Sequence, residues 1–305
     1  MKKFLGLCMA LLIMAFILSP AKTFAAEESD DMAAYREALL SYSDSKIFRQ
    51  DILFASPFIQ AELDIMGMVD GDTFKSTGDF TIWAYKDDGS VIEKTIPYYM
   101  IQKGKGMDVY FKVDKQWEKF TAPSLAADIT DFIATPTPEE IEEIIADTKE
   151  VTVLQENDYR RIMLIKLDGE RIADSFKAKA EENPADNVAA EESAMQETLV
   201  NYFDTAIRKS NIWYMWTIDK RDWHTVAMQY HLSGLIQELA RAALDDPNQV
   251  WPDEISNLLE TIAYYSEIRA YTTYPADPAA AKKFEIPKNV LKAKQVNDIN
   301  VNVNK

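Results

Sequence analysis

Cysteine is almost absent from this 305-residue chain: Cys8 is the single one, and it lies inside the first apolar run. A disulfide framework, a thiolate metal centre and a cysteine nucleophile are therefore excluded from everything that follows residue 8. Histidine is nearly as scarce, with His224 and His231 alone, so a metal site would have to be assembled mainly from carboxylates. Positive charge is in deficit, 33 Lys and Arg against 50 Asp and Glu. The resulting acidic surface repels phosphate backbones and anionic head groups, which excludes nucleic acid as a partner. There is no Gly-x-Ser-x-Gly elbow, phosphate-binding loop, dinucleotide fingerprint or His-Glu-x-x-His, so no known catalytic signature is carried and the chain does not read as an enzyme. Long hydrophobic runs are missing too. The longest, Phe4 to Leu18, falls short of the roughly 20 residues a membrane-spanning helix needs, and nothing after Ala26 comes near it, which argues against stable membrane insertion.

What is present begins with that short run. Lys2 and Lys3 precede it, and Ser19, Pro20 and the small residues Ala25 and Ala26 follow, the pattern of a secretory signal peptide over residues 1–26 with cleavage after Ala25 or Ala26. The expected product is exported, periplasmic or extracellular. Cleavage removes Lys2, Lys3 and Lys22 and no acidic residue, which moves the net charge from −17 to −20. Cys8 follows Leu7 near the start of the run, not a small residue at its end, so no lipid anchor is expected. With 47% hydrophobic residues the remainder has enough apolar area to offset the entropy of ordering, and it folds.

Periodicity then sets out the elements. Ser29 or Asp30 caps a helix carrying Met32, Tyr35, Leu39 and Tyr42. From Ile59 the period is two, and turns at Asp70-Gly71, Asp88-Gly89 and Lys103 to Gly106 divide long strands over 59–65, 73–85, 91–102 and 107–113, with a short strand at 117–120. Leu125, Ile129, Phe132 and Ile133 mark a helix, and Thr137-Pro138-Glu139-Glu140 is a capping box that opens another. Strands resume at 151–155 and 159–167. Residues 171–193 read as a solvated helix and loop. A helix with Leu199, Phe203 and Ile207 follows, then a hairpin at 213–218 and 223–230, two more helices and a last strand near 264–274. The sum is an α+β fold: one curved antiparallel sheet of about ten strands, an incomplete β-barrel wrapped around helices. It makes a single domain over 27–296, with 297–305 as a polar tail.

Chemistry-bearing clusters are sparse. His224 and His231 are an odd number apart on one strand, which points them to opposite faces and makes them poor co-ligands. Asp70-Gly71-Asp72 and Asp219 to Asp222 lack the spacing of a calcium loop and read as hairpin turns. Close acidic pairs such as Glu142/Glu143 arise from composition alone. No catalytic residue, metal or cofactor is nominated. What remains is apolar surface: strands about 30 Å long at roughly 3.3 Å per residue can curl over helices and leave a pliable, methionine-rich cleft. The inward candidates are Phe80, Ile82, Met107, Val109, Phe111, Met163, Ile165, Trp213 and Met215.

The element order, with Ile65-Met66-Gly67-Met68, Tyr98-Tyr99, Met107 to Phe111 and Trp117-Glu118-Lys119 in the first half, resembles the LolA/LppX-like periplasmic carrier superfamily. Ile218-Asp219-Lys220, His231 to Leu235 and Phe284 to Val290 do so in the second half. The resemblance spans most of residues 30–295 and is nearest to uncharacterised secreted branches. It implies a half-barrel curved around helices, a hydrophobic cleft for the acyl chains of lipids or lipoproteins, and an added helical insertion around 171–211. An envelope module that binds a partner protein through a filled core is the alternative. An outer-membrane barrel is disfavoured by the helices between strands, and an exported hydrolase ranks last.

Overall fold

The computed structural model describes residues 29–41, 47–70, 73–85, 88–103, 106–113, 115–123, 137–182, 190–274 and 284–296. The segment 1–26 expected as a signal peptide, the helix expected around Leu125 to Ile133 and the tail from 297 lie outside the described residues.

Twelve strands form one open, curved sheet that does not close into a barrel. They are β1 (Ile47–Ala55), β2 (Ile59–Asp70), β3 (Thr73–Tyr85), β4 (Val91–Lys103), β5 (Gly106–Val113), β6 (Gln116–Pro123), β7 (Thr148–Glu156), β8 (Arg160–Leu167), β9 (Trp213–Asp219), β10 (His224–His231), β11 (Glu267–Thr273) and β12 (Lys294–Gln295). Their spatial order is β12-β6-β5-β4-β3-β2-β1-β11-β10-β9-β8-β7. All neighbours are antiparallel except β12, which runs parallel to β6. Six helices are described: α1 (Asp30–Ser41), α2 (Pro138–Ala146), α3 (Gly169–Glu182), α4 (Ala190–Lys209), α5 (Ser233–Leu244) and α6 (Asp253–Tyr265). None of them is long and apolar enough to cross a membrane.

Local signals explain most boundaries. Ser29 Oγ accepts the Met32 N–H at 3.2 Å and starts α1. At α2, Thr137 Oγ1 accepts the Glu140 N–H while the Glu140 carboxylate accepts the Thr137 N–H, the reciprocal cap expected from the sequence. The sheet is two strands larger than the expected ten. β1 escaped the pattern because Gln50 occupies its inner face, between Phe48 and Ile52, and breaks the alternation. β12 pairs over two residues only, too short for any periodicity.

The inner face of the sheet carries the core in three clusters. Phe48, Ile52, Ile65, Phe74, Ile268 and Ala270 of the central strands pack with α3 to α6 in the largest. The helical insertion around 171–211 supplies Ile172 and Ala173, from the stretch 171–193 expected to be solvated, and Phe203, Ala206 and Ile207, from the expected amphipathic helix, to it. Arg208 of α4 ties that helix to α3 by reaching Glu170 and Asp174 as well as Asp204. The second cluster lies under α1 and α2, where Tyr35, Ala38, Leu39 and Ile141 meet Val151, Met163, Ile165, Tyr214, Trp216 and Ile218. The third, at the β6 end, comprises Ile96, Met107, Val109, Phe111 and Val113.

Candidate functional site

The ladder registers decide which residues share a face, because directly opposed residues point the same way. Ile65, Gly78, Tyr98 and Phe111 form one row across β2 to β5. Gly67, Ser76, Met100, Val109 and Phe120 form the next, and Val69, Phe74, Gln102 and Met107 the one after. Together they make a largely apolar floor, interrupted by Ser76 and Gln102, that links the first cluster to the third, since Tyr98 and Met100 pack against both. Among the described residues, the apolar side chains packed on the third cluster are Phe80, Tyr98, Met100, Phe120 and Val296, all from strands or the strap that follows β12. The described helices cover the other two clusters.

The glycines in this floor are there for space. A Cβ at Gly67 would lie 2.2 Å from Phe48 Cζ, and one at Gly78 would lie 1.7 Å from the Asp64 carbonyl oxygen. The ring of Tyr98 crosses Gly78, and its hydroxyl donates to that same carbonyl at 3.4 Å. Burial holds the Tyr98 phenol protonated well beyond its ordinary range, so it stays a neutral donor within the floor. The floor's other buried polar side chains are Ser76 and Gln102, with Gln50 beside it on β1 donating to Thr272 Oγ1 at 3.0 Å.

Of the nine residues singled out in the sequence, Phe80, Met107, Val109 and Phe111 come together in the third cluster, with Ile82 two residues along the same face of β3. Met163 and Ile165 are fully buried in the second cluster, several strands away. Trp213 and Met215 point to the opposite face. On β9 the inner residues are Tyr214, Trp216 and Ile218, while the Trp213 ring stacks on His231, centroids 4.9 Å apart. The whole run Trp213 to Trp216 is apolar, so alternation does not show which half turns inward. Ile96, Tyr98 and Met100 were not singled out for the same reason: 96–101 is apolar on both faces.

At the α1 end the inner face is fixed by polar contacts. The hydroxyls of Tyr35 and Tyr214 are 2.5 Å apart and buried, and burial raises the Tyr35 phenol to about 12. Arg161, almost wholly buried, donates to Ala34 O at 2.8 Å, to Glu37 at 2.9 Å and to Glu156 at 2.8 Å, and its guanidinium lies over the Trp223 ring. Hydrogen bonds from Arg161 and then Lys220 hold the Glu156 carboxyl down at about 2.

The β9–β10 turn gathers Asp219, Asp222 and His224, whose ligand-capable atoms lie within 4.8 Å of one another. These groups already have partners: Arg221 grips Asp219 with two nitrogens, and His224 Nδ1 is 2.5 Å from Asp222. The odd-separation argument for the two histidines fails on a β-bulge between Thr225 and Ala227. The bulge sets His224 opposite Asp219 and His231 opposite Trp213, six residues apart on β9, so both turn to one face. Roughly 20 Å of strand separates them.

No protein-family model and no curated protein matches the chain. Among solved structures, an N-terminal dehydratase from a difficidin assembly line is matched at 10% identity over 83% of this chain and 85% of that one, with a TM-score of 0.11, too slight a likeness to carry an argument.

Proposed function

We propose that this chain is an exported carrier that holds the acyl chain of a lipid or lipoprotein on the inner face of its curved sheet. The observation that carries the reading is the largely apolar floor from β2 to β6, furnished with Met100 and Met107 and bordered by helices only on its far side among the described residues. Thioether side chains re-pack around irregular guests at low cost. Each buried methylene contributes about 0.8 kcal/mol, so a dozen carbons bind without a charged anchor. Among the described residues of the floor the polar side chains are Ser76, Gln102 and the Tyr98 hydroxyl, with the Glu118 carboxylate at its β6 border opposite Phe111.

The protein purified without detergent and extracted with organic solvent is expected to release lipid in near-stoichiometric amount by mass spectrometry. Repeated recovery of empty protein from its native envelope would remove the carrier reading. It would favour the second one, an envelope protein-interaction module with a filled core. That reading is supported by the complete burial of Met163 and Ile165 and by the exposed pair Tyr264 and Tyr265 at the end of α6, since aromatic residues are favoured in interfaces.

A further inference from the structure

The two edges of the sheet are finished differently. At β7, α1 is clamped along the edge: Asp31 Oδ2 accepts the Val153 N–H at 3.1 Å, Arg161 binds Ala34 O and Glu37, and Arg36 pairs with Glu142 of α2. At β6 the edge is completed by three residues. Lys294 stands opposite Glu118, Gln295 opposite Lys119, and the Val296 N–H donates to Lys119 O at 2.8 Å. The side chains of Lys294 and Gln295 are exposed. Parallel pairing of this length is the weakest closure in the sheet.

The register fixes where Val296 points. Gln295 shares the outer face of Lys119, and its Nε2 lies 3.5 Å from Thr121 Oγ1 on that face. Val296 therefore falls on the inner face, in the row of Phe120, where it packs on the third cluster. The segment just before is anchored: Phe284 and Val290 are buried, and the Ala293 N–H closes a turn on Val290 O at 2.9 Å. The chain from Val290 to Lys294 thus joins a firm root on one side to a lightly held strap on the other.

We propose that residues 294–296 are the gate of the apolar floor. Paired, β12 seats Val296 over the β6 end of the third cluster. Detached, it opens the floor to an acyl chain entering across the β6 edge, while the β7 edge stays shut. This rests on the carrier reading and adds the route by which cargo enters.

The test is a reversible lock. In the full chain with Cys8→Ser, the changes Glu118→Cys and Lys294→Cys place two thiols at directly opposed positions of the parallel pair, close enough for a disulfide. Uptake of cis-parinaric acid is followed by its fluorescence in the oxidised form, the reduced form and the parent chain. Uptake at least tenfold slower when oxidised, restored by reduction to the parent's rate, is expected. Equal uptake by oxidised and reduced forms overturns the gate alone. Failure of all three to take up the probe overturns the carrier reading, and the gate with it.

Discussion

Trp216→Ala is expected to lower stability by about 3–5 kcal/mol, the range for deleting a large buried aromatic side chain. Trp216 is 3% exposed at the middle of β9. Its indole N–H donates to Thr225 Oγ1 at 2.9 Å, and its ring meets the edge of Tyr35 at a centroid distance of 5.9 Å. The loss is therefore threefold: the packing of the ring, the partner of a fully buried threonine hydroxyl, and the surface on which α1 rests. An orphaned buried hydroxyl alone costs about 1–3 kcal/mol. Urea unfolding followed by far-ultraviolet circular dichroism measures the change. A midpoint within error of the parent would mean that α1 is not held by this contact.

Gly78→Ala is expected to cost about 3 kcal/mol, the upper part of the range for overpacking. The added methyl would meet the backbone of Asp64, not the end of a side chain that can swing aside, and the Tyr98 ring closes the other side at 3.3 Å. The β2–β3 pair must part locally, and the Tyr98 hydroxyl loses its line to the Asp64 carbonyl. For a domain of this size, 1 kcal/mol moves the melting temperature by roughly 2–4 °C, so a drop of about 6–12 °C is expected. Gly234→Ala is the control. Its Cβ would have no neighbour nearer than 3.7 Å, and it lies in the first turn of α5, where alanine leaves stability equal or slightly higher. Equal melting of the two variants would contradict the close approach at Gly78.

The meander β3 to β5 was legible because β3 and β5 alternate and Asp88-Gly89 marks a turn, with Gly89 at φ +79°. α2 was legible from its capping box. Three kinds of feature were not. β1 hid behind one inward glutamine. The packed side of α3 was masked by its many Ala, Glu and Lys residues, although Ile172 and Phe176 are a helical turn apart and both reach the first cluster. The bulge on β10 reversed the inference about the histidines, and a single extra residue leaves no compositional trace. For the site, period two gave the correct inner face wherever polar residues marked the other side, as on β5 with Asp108 and Lys112. It failed on β9, where both faces are apolar. Gly67, read only as part of a motif, proves to be where the Phe48 ring crosses β2.

The most direct measurement of the central claim is photo-crosslinking with a palmitic acid analogue that carries a diazirine at its methyl end, followed by peptide mapping. The account predicts adducts on the inner-face residues of β3 to β5, chiefly Phe80, Met100, Met107, Val109 and Phe111, suppressed by excess palmitate. Adducts confined to Trp213 and Met215 on the outer face, or to Tyr264 and Tyr265, would contradict it.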